Sequence, residues 1–305
     1  MITESPNLNA QCAAVSPSLS ANHRLMTKRL TQESQAEVLR FLSERPLHTA
    51  VMSGFIRDNG LESEFNRGCF YGCRNKAGTL QGVSLIGHAM FIEARCDDAL
   101  LEFARLARDF PSTHMIMGEQ EVIRRFWKYY SPGGQSSRRS CQETLFELRQ
   151  PPLGFHSVPN LRVANLDDLS SVISVHAALA FEESGVNPLQ IDAAGFRMRC
   201  RRRIEQQRVW VWVENGVLIF KADVISDNPE VIYLEGIHVD PDQRGKGYGS
   251  RCVSQLSRYL LDRGRSISVL VNQERQPVQK FFKQLGFLSH GLYDTIFLQT
   301  KKELL

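Results

Sequence analysis

The segment Ile237-His238-Val239-Asp240-Pro241-Asp242-Gln243-Arg244-Gly245-Lys246-Gly247-Tyr248-Gly249-Ser250 restricts the possible fold more than any other part of the chain. It leaves an apolar, β-branched run (Val231, Ile232, Leu234, Ile237, Val239) that reads as a buried strand. It enters a run with helical spacing, Cys252, Val253, Leu256 and Leu260, with Gly264 where a C-terminal cap is expected. Between them lie Gly245, Gly247 and Gly249, with Arg244 and Lys246 interleaved. A glycine-rich turn that opens a helix leaves backbone N–H groups unpaired at the positive end of the helix dipole, which suits a pyrophosphate. No Gly-Lys-Ser/Thr closes the turn, so it is not a Walker A loop, and its spacing is not the G-x-G-x-x-G of dinucleotide folds. Its place between a buried strand and an amphipathic helix also separates it from disordered Arg-Gly tails.

Downstream, Ser266 to Val271 reads as another strand, followed by Asn272 and the segment Pro277-Val278-Gln279-Lys280-Phe281-Phe282-Lys283-Gln284-Leu285-Gly286-Phe287. Proline at the start and glycine past the end bracket a short helix whose apolar residues Val278, Phe281, Phe282 and Leu285 share one face. Upstream, Val163-Ala164-Asn165-Leu166-Asp167-Asp168 reads as a strand giving way to a helix capped by Asn165. Strand, Pro turn, Arg-x-x-Gly-x-Gly and helix, then Asn after the next strand and a helix ending in Gly-Phe, together resemble the GNAT acetyltransferase superfamily. One departure is that the first glycine here follows Arg244 directly. The resemblance runs from about Val158 to the C-terminus.

The first half carries a weaker echo of the same pattern. Phe70 to Arg74, a turn at Asn75 to Gly78 and Leu80 to Leu85 read as a hairpin, as do Val209 to Val213, Glu214-Asn215-Gly216 and Val217 to Val224. Glu121 to Trp127 can be laid on Pro277 to Lys283, and Glu143-Thr144-Leu145-Phe146 on Asp294-Thr295-Ile296-Phe297. Gln150-Pro151-Pro152-Leu153-Gly154 is the clearest linker. The expected fold is α/β with a mixed sheet, in two tandem GNAT-like domains. Residues 1–24 read as a disordered polar tail, 25–150 as a degenerate copy and 151–305 as the acetyltransferase domain. Where the first copy should carry a pyrophosphate loop it has Glu93-Ala94-Arg95-Cys96-Asp97-Asp98, with no glycine and two acids at the helix start, which repel phosphate.

Composition narrows the class. Apolar content of 42% and charged content of 23% are those of a globular protein, and a net charge of +4 is too small to imply a nucleic-acid partner. The N-terminus lacks the basic start and apolar core of a signal peptide, and no stretch approaches the roughly 20 apolar residues of a membrane helix. Seven irregularly spaced cysteines argue against a disulfide framework. Cys69 and Cys73 share one face of a strand and are half of a zinc site at most, so no metal is expected and the setting reads as cytoplasmic.

The resemblance implies acetyl-CoA as co-substrate and a primary amine, small molecule or protein lysine, as acceptor. Carried over by position, the backbone of Ile237, His238 and Val239 would hold the pantetheine arm and the acetyl oxygen. Arg244 and the amides of Gly245, Lys246, Gly247, Tyr248, Gly249 and Ser250 would hold the pyrophosphate, and Asn272 would touch the pantetheine. Glu235, two residues before Ile237, is a candidate base. Glu182 and Glu183 lie where the family often builds its acceptor site, so Glu183 is a second catalytic candidate and both are candidates for recognising a cationic amine. A regular strand would put His238 on the face opposite Glu235. Phe282 stands where many members carry a tyrosine acid, and Arg275 where many carry a second Asn. A regulatory acyl-CoA-binding module without turnover is therefore the alternative. In Phe196 to Ile204 the apolar residues Phe196, Cys200 and Ile204 form a stripe whose wet sides the arginines cover.

Overall fold

The computed structural model describes residues 25–154 and 157–299; the segment read above as a tail lies outside the described residues. The first half runs β1 (Met26–Arg29), α1 (Gln35–Ser43), α2 (Pro46–Asn59), β2 (Gly68–Arg74), β3 (Leu80–Gly87), β4 (Ala89–Ala94), α3 (Asp97–Ala107), β5 (Met115–Glu119), α4 (Gln120–Tyr130) and β6 (Ser137–Leu148). The second runs β7 (Arg162–Val163), α5 (Leu169–Ser184), the short α6 (Pro188–Ile191), α7 (Ala193–Glu205), β8 (Val209–Glu214), β9 (Val217–Asp227), β10 (Ile232–Val239), α8 (Tyr248–Leu261), β11 (Ile267–Asn272), α9 (Gln276–Gln284) and β12 (Leu288–Leu298). Apart from α6, the second half repeats the element order of the first.

The twelve strands form one mixed sheet in the order β1-β2-β3-β4-β5-β12-β6-β11-β10-β9-β8-β7. The two closing strands have changed places: β12 pairs with β5 of the first half, while β6 pairs with β11 of the second. They also pair antiparallel with each other, with Glu143 opposite Tyr293. A cut after residue 150 would leave β6 on the first segment, although both its neighbours belong to the second.

Alternation along the strands sends one set of side chains to each face. Even-numbered residues such as Phe146, Ala222, Val224 and Leu234 pack with Cys252, Leu256 and Leu260 of α8 and Phe282 of α9. In the first half, Ile86, Ile92 and Ile116 meet Leu100, Phe103, Ile123 and Phe126 of α3 and α4. The opposite face carries α1 and α2 over Phe70, Val83 and Leu85. Helix α2 also reaches the second half: Ala50 packs with Val231 and Tyr233, and Ser226 donates to the Ala50 carbonyl at 2.7 Å. The stripe Phe196, Cys200 and Ile204 is buried, and Arg199, Arg201, Arg202 and Arg203 take polar partners at Asp192, Glu205, Asn59 and Asp223. Cys73 is buried and Cys69 half-buried on β2.

Candidate active site

The site forms where two parallel strands separate. β10 and β11 pair only from Ile232–Ile267 to Leu234–Val269, so on the β11 side the backbone of β10 is unpaired beyond Leu234. On the other side a bulge interrupts the ladder with β9: Glu235 pairs with Asp223, but the next pair is His238 with Lys221. Gly236 absorbs the extra residue at φ +59°, a left-handed conformation that suits glycine. The bulge changes the faces expected of a regular strand. His238 falls on the same face as Glu235, whereas Ile237 and Val239 pack towards the α8 core. Burial, with Arg244 and Lys221 nearby, pulls the His238 imidazole below its ordinary pKa.

Asp240 begins the turn that follows, its side chain accepting from the Asp242 amide, and Gly247 caps α8 at φ +77°. Among the described residues the amides of Gly245 to Ser250 donate to no carbonyl; the first bond back into the turn is Arg251 N–H to Gly247 O. A Cβ built on Gly245 meets nothing within 4 Å, and one on Gly247 meets only the Ser250 hydroxyl at 4.0 Å. The turn is therefore an open cradle of donors, which fits a pyrophosphate. Gly249 is different, since a Cβ there would lie 3.1 Å from Val239 Cγ2. Arg244 is anchored inward, Nε to the Val239 carbonyl at 3.1 Å, and Lys246 bonds Gln243. Asn272 ends β11 opposite Glu143, its side chain accepting from the Glu274 amide.

Carboxylates collect on the face away from α8. Glu235 on β10, Glu183 at the end of α5 and Glu143 on the exchanged strand β6 are close enough for the first and third to perturb Glu183. Loss of hydration within the cleft, then repulsion from Glu235 and Glu143, pushes the Glu183 carboxyl up to about 8, although the residue is exposed at the cleft mouth. Burial pushes Glu143 up to about 6; Thr295 of β12 donates to its Oε2 at 2.7 Å, and Glu235 adds repulsion. Glu182 is taken by Arg275 at 2.6 Å, so that guanidinium points to the acceptor side and not to a phosphate. Glu143 carries no motif that marks it in the sequence; its only signal is an acid on an apolar closing strand, and its neighbours come from strand exchange.

Beneath the bulge lies a buried charge network. Lys221 Nζ is 2.6 Å from Asp223 Oδ2 and 3.5 Å from the Gly236 carbonyl. The same Oδ2 receives Arg203 and His176 Nδ1, each at 3.2 Å. These charges hold Asp223 well below the ordinary carboxylate range despite its burial.

The first half has the corresponding fork: β4 and β5 pair only from Ala89 to Phe91. Here Arg45 bridges the gap, bonding Glu93 of β4 and Glu119 of β5, and Arg95 also bonds the buried Glu93. Asp97 and Asp98 begin α3, and Asp97 pairs with Arg125. In the second half, Phe282 is 4% exposed and packed against Phe146, Phe281 and Phe287. Its ring belongs to the α8–α9 core.

Residues 178–287 match the Acetyltransferase (GNAT) family. An uncharacterized N-acetyltransferase of Methanocaldococcus jannaschii is 41% identical over 59 residues, 19% of this chain and 26% of that protein. An acetyltransferase from the GNAT family of Colwellia psychrerythraea superposes over 90% of this chain and all of that one, with a TM-score of 0.57 at 11% identity. A tandem GNAT protein from the clavulanic acid biosynthesis pathway superposes over 89% and 98%, with a TM-score of 0.57 at 15% identity. These matches support the GNAT acetyltransferase family, and the superpositions show the fold.

Proposed function

We propose that this protein is an acetyl-CoA-dependent N-acetyltransferase that transfers an acetyl group directly to a primary amine in a ternary complex. The observation that carries the reading is the junction of an open amide cradle, a forked and bulged strand, and a cluster of carboxylates. Acetyl-CoA, when bound, supplies the activated thioester. Gly245 to Ser250 would hold its pyrophosphate, and the unpaired edge of Ile237, His238 and Val239 its pantetheine arm and acetyl oxygen. Glu235 and Glu183 face the acceptor side, where a carboxylate takes the proton of an ammonium directly or through water. The element order repeated in the two halves favours a tandem arrangement, and Arg45 closing the first fork favours a first half that does not bind CoA.

Thiol release from acetyl-CoA against a panel of primary amines tests this reading. Stoichiometric acetylation of one amine supports it; tight acetyl-CoA binding with no release for any amine favours a regulatory acyl-CoA-binding module. The specific observation on the side of that second reading is that residue 282 is Phe, with no phenol at the position where many family members carry their acid, and that its ring is packed into the core.

A further inference from the structure

The fork between β10 and β11 closes at the pair Leu234–Val269, and both side chains pack into the α8 core. Tyr233 and Leu270, the residues flanking that pair, therefore point to the opposite face. Both line a trough that runs beneath α2. Its floor takes one side chain from each of six neighbouring strands: Phe91, Met117, Tyr293, Leu145, Leu270 and Tyr233, in sheet order from β4 to β10. At the usual strand spacing those strands span roughly 24 Å. Leu47 and Val51 of α2 form the roof, and the volume is about 540 Å³ counting the open mouth.

The protein leaves this trough incompletely covered. Leu47, Val51, Phe91, Met117 and Leu270 are only half-buried, so apolar surface from helix and sheet faces one narrow space. Removing that surface from water favours an apolar occupant. Glu93, Glu119 and His48 belong to the end away from the β10–β11 fork, and protein groups already engage them. Arg45 bonds both carboxylates, and His48 Nδ1 lies 3.1 Å from the Tyr293 hydroxyl. Beside the fork itself, Leu47, Val51 and Leu270 pack around Tyr233.

The inference rests on the reading of the cradle and fork as a CoA site. With the pyrophosphate at Gly245 to Ser250 and the pantetheine arm along Val239 to Ile237, the thioester end points down β10 towards Leu234, where the trough begins. We propose that the donor carries a straight acyl chain longer than acetyl, such as hexanoyl, whose tail leaves the fork beside Tyr233 and Leu270 and lies beneath α2. The transfer balances as before: the amine nitrogen forms the amide bond, the thioester C–S bond breaks, and CoA leaves as the thiol with the proton that the amine gives up. Helix α2, Phe91, Met117 and Leu145 are thereby the contribution of the first half of the chain to the site of the second.

The test is calorimetry on the full chain with CoA, acetyl-CoA and hexanoyl-CoA, and needs no acceptor. Each buried methylene is worth about fourfold in affinity, so hexanoyl-CoA is expected to bind at least about tenfold more tightly than acetyl-CoA. Val51→Trp, which fills the trough from its roof, is expected to reduce that ratio to below about threefold while leaving acetyl-CoA affinity unchanged. Equal affinity of the two thioesters, weaker binding of hexanoyl-CoA, or a ratio that Val51→Trp leaves intact overturns the proposal. Tight CoA binding with no gain from the longer chain sinks the proposal alone; no affinity for CoA or either thioester sinks the reading of the cleft and the proposal with it. Should Val51→Trp fail to fold, Leu47→Phe is expected to lower the ratio severalfold, and an unchanged ratio there counts against the proposal.

Discussion

Lys221 and Asp223, two residues apart on β9, form a fully buried ion pair of 2.6 Å directly under the bulge at Gly236. Both side chains point to the same face of the strand, and a Cβ on Gly236 would lie 2.9 Å from Asp223 Oδ2 and 3.0 Å from Lys221 Nζ. Removing one partner strands the other charge. Asp223→Ala is expected to cost about 3–5 kcal/mol in urea unfolding. Because Lys221 also approaches the Gly236 carbonyl, acetyl-CoA affinity should fall as the bulge loosens. Unfolding within 1 kcal/mol of the wild type would show that the pair is not what holds this region.

The glycines of the turn are expected to separate into two classes. Gly245→Ala and Gly247→Ala put a side chain into left-handed backbone at φ +77° and into the mouth of the amide cradle, so CoA binding should weaken tenfold or more, about 1.4 kcal/mol. Gly249→Ala, without that backbone strain, instead presses on Val239 at 3.1 Å, so its loss of thermal stability should track the space at Val239 and be relieved by Val239→Ala, whereas that at Gly245 and Gly247 should not. Calorimetry and thermal melts on the three variants distinguish these outcomes.

The cleft should respond to pH between about 6 and 8, where Glu143 and Glu183 ionise. Glu235, Glu182, Tyr233, His238 and Arg275 also face this space; His238, with its pKa lowered, is already neutral there. The ratio kcat/KM for a cationic amine is expected to rise across this window, and Glu183→Gln to remove the upper part of the rise. Stability has the opposite sign. The folded chain keeps the Glu183 proton at pH values where the unfolded chain has lost it, so native stability should fall as pH rises from about 4.5 to about 8. A flat stability profile that is the same in wild type and Glu183→Gln would contradict the raised pKa of this carboxyl.

Phe282→Tyr tests the fate of the leaving thiolate. If residue 282 faced the sulfur, a new phenol would raise turnover. Packed against Phe146 and Phe287, it must bury a hydroxyl without a partner, so about 1–3 kcal/mol of stability should be lost with no gain in kcat. A faster enzyme of unchanged stability would move Phe282 into the site.

One CoA per chain is the expected stoichiometry, because Arg45 ties Glu93 to Glu119 across the fork of the first half and Asp97 occupies the start of α3. Titration to a value near two would refute that division of labour.

The strand–turn–helix from Val231 to Leu260, the hairpins on both sides of the linker and the short helix bracketed by Pro277 and Gly286 are legible in the order of the residues alone. Each is written in short-range terms: β-branched runs, positive-φ glycines, a proline at a helix start, an apolar face at helical spacing. The acids at the start of α3 were legible for the same reason. Which residues meet depends on contacts between elements far apart in the chain. The bulge at Gly236 turned His238 onto the face of Glu235, because one extra residue inverts everything after it on a strand. The pairing of β6 with β11 brought Glu143 into the cleft, and no local pattern records the partner of a closing strand. Phe282 went into the core and Arg275 to Glu182 because packing and charge pairing act between elements distant in the chain, which motif spacing does not encode.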